Sequence, residues 1–138
     1  MPWITRCSFS DIEVGRHKEP SNCVLIQIVD PDVEFPEPRF KSLFKKIYRY
    51  KFLDIEEGEG KWAISDDQAS DIANIIELCL VTNTNILVHC TMGVCRSGGV
   101  CEAAESIGFQ YLHDGFLCPN LTVKRMIMKE LYDKFIED

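Results

Sequence analysis

The residues best equipped for chemistry fall in one short stretch, His89-Cys90-Thr91-Met92-Gly93-Val94-Cys95-Arg96-Ser97-Gly98-Gly99. A cysteine followed six positions later by an arginine pairs a nucleophilic sulfur with a planar guanidinium whose donors fit an oxyanion. In a chain with seven cysteines the bare Cys-x5-Arg spacing is weak evidence, so its surroundings decide. The apolar run Ile86-Leu87-Val88 reads as a strand, Gly93 sits where a loop must bend tightly, and small residues after Ser97 suit a helix start. Strand, loop and helix in that order build an anion cradle, because a helix amino terminus carries unpaired N–H groups and a partial positive charge. Thr91, Met92, Gly93, Val94, Cys95 and Arg96 are therefore the candidate phosphate-binding residues, with Cys90 as nucleophile. A helix start beside a cation is also the setting that favours a thiolate over a thiol.

Each neighbour has a chemical reading and a plain one. Arg96 is expected to grip equatorial phosphate oxygens with a two-pronged fork that lysine cannot reproduce. Ser97 suits a hydrogen bond to the Cys90 sulfur, or a helix cap. His89 orients the loop and tunes Cys90, or is a packed core histidine. Transfer of phosphate to sulfur leaves an oxyanion that needs a proton, so a carboxylic acid must reach it. Asp54, at the end of a strand expected to neighbour the central one, is the first choice. Glu56, Glu57 and Glu59 compete on the same segment, whereas Asp66 and Asp67 read as helix-start residues. Asn120 braces the acid or phosphate loop, or caps a helix.

The elements that must position these groups follow from periodicity. Trp3 to Ile12 reads as a strand or strand pair at a sheet edge, and Cys23 to Val29 as a strand buried on both faces and stopped by Asp30-Pro31-Asp32. Phe40, Leu43, Phe44 and Ile47 fall at helical spacing, then Tyr48, Tyr50 and Phe52 alternate toward a strand end near Ile55; Ile55 to Ala63 reads as irregular. Ser65 with Gln68 three residues on is a capping box opening a helix to about Val81, with Ala69, Ile72, Ala73, Ile76, Cys79 and Leu80 on one face. A helix from Val94 or Arg96 to Ile107 and a last helix from Pro119-Asn120, burying Val123, Ile127, Leu131 and Phe135, complete the chain. Strands alternating with helices predict an α/β layered fold, with a central, largely parallel four- to five-stranded sheet flanked by helices and the reactive loop at the carboxyl end of a middle strand.

Composition sets the bounds. The 138 residues suffice for a single domain, 1–138, with an ordinary core. The net charge of −7 argues against a general nucleic-acid binder, although Arg39 to Lys51 is a basic stretch, read as a solvated face or a guide for anionic substrate. Seven scattered cysteines without paired metal spacing favour reduced thiols, hence a cytoplasmic setting, and no apolar run reaches membrane-spanning length.

The stretch HCTMGVCRSGG resembles the signature loop of the cysteine-dependent protein tyrosine phosphatase superfamily, in its dual-specificity branch, where His-Cys-x2-Gly-x2-Arg-Ser/Thr recurs. Leu53-Asp54 resembles that family's acid loop and Cys118-Pro119-Asn120 its Ser-Pro-Asn, so the likeness spans roughly the last two-thirds of the chain. It implies a phosphatase working through a phosphocysteine on Cys90, without metal or cofactor, on phosphotyrosine and by extension phosphoserine or phosphothreonine in proteins or peptides. A monomer is expected. Cys95 departs from the pattern and is similar to the low-molecular-weight tyrosine phosphatases, which suggests a Cys90–Cys95 disulfide on oxidation, against the plainer view that it fills a small-residue slot. Rhodanese-type sulfur transfer and a non-catalytic phosphate-binding module are the alternatives.

Overall fold

The structure is a computed structural model describing residues 1–56 and 62–136, the side chains of 134–136 excepted. Strands β1 (Trp3–Ser8), β2 (Cys23–Val29), β3 (Ile47–Lys51), β4 (Asn85–Cys90) and β5 (Gln110–Tyr111) form one sheet in the order β3-β2-β4-β1-β5. Every pairing is parallel, as the α/β reading requires. Helices α1 (Phe9–Val14), α2 (Asp66–Val81), α3 (Cys95–Glu105) and α4 (Leu121–Ile136) cover it.

All seven residues of β2 are buried, which its unbroken apolar run demands. Val24, Ile26, Ile28, Ile86 and Val88 point toward α2, α3 and α4, where Ile72, Ile76, Val100, Val123, Ile127 and Leu131 meet them. Leu25, Leu87, Cys7 and Cys23 point the other way, onto Ile12 of α1 and Phe44. The α2 capping box forms, Ser65 Oγ accepting from Gln68 N at 3.1 Å and Gln68 Oε1 accepting from Ser65 N at 2.9 Å. Phe135, expected on the buried side of α4, lies outside the described side chains.

Four expectations need correction. The opening stretch is a strand only to Ser8, and β1 lies inside the sheet between β4 and β5, paired from Ile4↔Ile86 to Ser8↔Cys90. Ser8 and Asp11 form a capping box that turns Phe9–Val14 into a helix. The helix read from Phe40 to Ile47 shrinks to a 3-10 turn, Lys41–Leu43, because Phe44 is buried while Phe40 and Leu43 stay exposed. The strand expected to end near Ile55 ends at Lys51 and is an edge strand paired with β2, so Asp54 does not follow a neighbour of the central strand. Lastly, α3 ends at Glu105 rather than Ile107, and β5 follows it, too short to leave a periodic signal. Among the described residues no helix is long and apolar enough to cross a membrane.

Candidate active site

β4 ends at Cys90 and α3 begins at Cys95, so Thr91 to Val94 must turn the chain. Gly93 permits the turn. Its φ is 74°, and a Cβ there would sit 2.4 Å from the Cys7 carbonyl carbon. α3 opens at Val94 without a side-chain cap, which leaves its first N–H groups for a ligand. Thr91 and Met92 are exposed and Val94 and Cys95 half-buried. Cys90 is 2% exposed, with its Sγ 3.3 Å from Ser97 Oγ, so the serine sits on the sulfur rather than capping α3.

Arg96 is buried, and its guanidinium is aimed by three bonds. Nη1 donates to Asp30 Oδ1 and to the Phe52 carbonyl, each at 2.7 Å, and Nη2 donates to Thr91 Oγ1 at 2.9 Å. A guanidinium has five N–H donors. Among the described residues buried Nε has no partner, so the Nε–H and a second Nη2–H remain for an oxyanion. Asp30 was read only as a strand stop; the structure makes it the ion-pair partner that fixes Arg96.

His89 is fully buried, and a polar row crosses the sheet to reach it. Parallel register sets Arg49, Gln27 and His89 side by side on β3, β2 and β4. Gln27 Oε1 accepts from Arg49 Nε at 2.9 Å, which leaves its amide nitrogen to donate to the Pro36 carbonyl and to His89 Nε2, at 3.0 and 3.2 Å. His89 Nε2 is then an acceptor and the ring proton belongs on Nδ1. Burial lowers the His89 pKa to about 4, with the Arg96 charge adding to the shift and the Cys90 backbone opposing it, so the ring is neutral at neutral pH. That suits orientation of the loop and not proton transfer. Arg49, read as part of a solvated or substrate-guiding face, is exposed as that reading expects and also donates to Gln27.

Asp54 reaches the site from beyond β3. Asn120 Nδ2 donates to Asp54 Oδ1 at 2.8 Å and to the Ile55 carbonyl at 3.1 Å, while Asn120 Oδ1 accepts from Val123 N at 3.0 Å. Asn120 thus braces the acid segment and caps α4 at once. Glu56 accepts from the Leu121 N–H at 3.3 Å, which draws it to the α4 amino terminus. Glu57 and Glu59 lie outside the described residues.

Solved structures with this architecture identify the fold. Human tyrosine phosphatase-like serine/threonine/tyrosine-interacting protein matches with a TM-score of 0.64 at 17% identity, covering 100% of this chain and 95% of that one. Human DUSP28 matches at 0.58 and 14%, covering 100% and 97%, and Tk-PTP in the active form at 0.50 and 18%, covering 97% and 80%. The chain therefore has the fold of these tyrosine-phosphatase-like and dual-specificity-phosphatase structures. No protein-family model matches the chain, and no curated protein does.

Within this fold, Cys95 is half-buried beside the segment carrying Asp54. Its thiol interacts with Asp54 and Cys118, and burial with those two neighbours pushes its pKa up to about 11. The Cys90 sulfur is paired with the Ser97 hydroxyl. All seven cysteines are free. The fold therefore gathers Cys90, Arg96, Ser97, His89, Asp54 and Asn120 around one loop, and adds Asp30 and Gln27, which no local motif marked.

Proposed function

We propose that the chain is a single-domain phosphatase, residues 1–138, hydrolysing phosphotyrosine, and phosphoserine or phosphothreonine as further substrates, in proteins or peptides. The carrying observation is the unpaired Nε–H of buried Arg96, whose guanidinium is tied to Thr91 of the loop that joins Cys90 to the uncapped start of α3. In the first step the Cys90 thiolate attacks phosphorus, the bond to the leaving oxygen breaks, and Asp54 gives that oxygen its proton. Arg96 and the loop N–H groups hold the three equatorial oxygens through the transition state. In the second step water attacks phosphorus, Asp54 takes its proton, and the P–S bond breaks while Ser97 donates to the departing sulfur.

Sulfur transfer has no use for a carboxylic acid, so the Asn120 brace on Asp54 favours phosphate chemistry over the rhodanese reading. Purified protein assayed on p-nitrophenyl phosphate and phosphopeptides between about pH 5 and 8, beside Cys90→Ser, tests the proposal. Turnover by the wild type alone is expected; equal inactivity of both overturns it. Asp54→Ala should lose turnover most on poor leaving groups, and unchanged turnover would return the sulfurtransferase reading.

A further inference from the structure

A guanidinium buried in a β-strand is expensive unless every direction it points is used. Arg6 stands in β1 opposite Val88, and its side chain is 8% exposed. Its one carboxylate contact among those described is Asp114, at 3.5 Å and 78% exposed, too wet to repay the burial. The donors go elsewhere. Nε donates to Tyr111 Oη at 2.5 Å, Nη1 to the Gly93 carbonyl at 2.8 Å, and Nη2 to the Phe116 carbonyl. One charged group therefore spans β5, the reactive loop and the segment leading into α4.

The Gly93 contact has a geometric consequence. No peptide among the described residues is cis, and in a planar trans peptide the C=O and the following N–H point opposite ways. Holding the Gly93 carbonyl outward on Arg6 turns the Val94 N–H to the other side of the loop. The Phe9 N–H does the same two residues earlier, donating to the Thr91 carbonyl at 3.1 Å, so the β1–α1 junction pins alternate loop peptides.

We propose that Arg6 is a positioning residue for the oxyanion loop: by anchoring the Gly93 carbonyl it aims the Val94 N–H at bound phosphate, and it locks that loop to the segment carrying Phe116. The inference rests on the phosphatase reading of the same loop. Lysine cannot replace Arg6, since one ammonium cannot reach Tyr111, Gly93 and Phe116 from a single position.

The test compares wild type, Arg6→Lys and Tyr111→Phe, the last removing only the hydroxyl that aims the guanidinium. Inorganic phosphate binding is measured by calorimetry and turnover on p-nitrophenyl phosphate per folded molecule. Arg6→Lys should weaken phosphate binding and kcat/KM together, by about tenfold to a hundredfold, and Tyr111→Phe should move both the same way by less. A purely structural role would lower Tm while leaving the phosphate Kd of the folded protein untouched. That result in Arg6→Lys, or in Tyr111→Phe should Arg6→Lys not fold, overturns the inference. Phosphate binding without turnover in the wild type refutes the phosphatase reading and leaves the Arg6 comparison standing, whereas a wild type that binds no phosphate refutes both.

Discussion

Acid should unfold this protein through His89 sooner than its carboxylates alone would. The ring is fully buried, between Gln27 and the edge of Phe9, and its pKa is lowered to about 4 chiefly by burial. In the unfolded chain a histidine titrates near 6.5. Between those values the unfolded state holds a proton that the native state refuses, so this contribution is complete above about pH 6.5 and is lost as pH falls toward 4. At 1.36 kcal/mol per pH step, the interval amounts to about 3 kcal/mol, a large share of the 5–15 kcal/mol of a typical domain. Urea unfolding of wild type and His89→Asn at closely spaced pH values from 7 to 4 measures it, because carboxylates common to both cancel in the difference. The wild-type curve should fall more steeply, the gap closing or reversing by about 3 kcal/mol. Parallel curves would refute the neutral, buried histidine.

Three further outcomes follow from the same geometry. Asp30→Ala removes the ion pair that aims Arg96, and kcat on an aryl phosphate should fall about tenfold or more, with steady-state kinetics as the check. Gly93→Ala meets both a left-handed φ and the Cys7 carbonyl, so thermal unfolding should show a loss of at least about 1–2 kcal/mol, with phosphate binding impaired. Under mild hydrogen peroxide, peptide mapping should link Cys95 to Cys118 rather than to Cys90, since Cys95 faces Cys118; a Cys90–Cys95 peptide would contradict the placement.

What could be read from the sequence was whatever is local. Cys90, Arg96 and Ser97 sit within one turn of loop and helix, so their spacing carries their meeting. The α2 start was equally legible, because Ser65 and Gln68 form a closed exchange of bonds within four residues. The α1 box of Ser8 and Asp11 carried the same signal, but it opens only six residues with Ile12 alone buried, too little to show a face. The position of β1 was not legible at all. Its mixed residues suit an edge, and only pairing with both β4 and β5 makes it interior. Gln27 hid in an apolar run because its partners, Arg49 and His89, become neighbours only once the register of β3, β2 and β4 is set.

Asp30 and Asp54 show what a parallel sheet adds to such a reading. With every strand running the same way, all carboxyl ends lie at one edge, where ligands of α/β sheets bind. Asp30 is the first residue after β2, Phe52 the first after β3 with Asp54 two further on, and Cys90 closes β4. Arg96 collects three of these ends, reaching Asp30 and the Phe52 carbonyl from the helix that follows Cys90. Asp54 then needs no strand beside β4, since the chain leaving an edge strand can cross the rim and be caught by Asn120 at the start of α4. The first polar residues after each parallel strand are therefore site candidates on topology alone, and by that criterion Asp30 was as visible as Asp54.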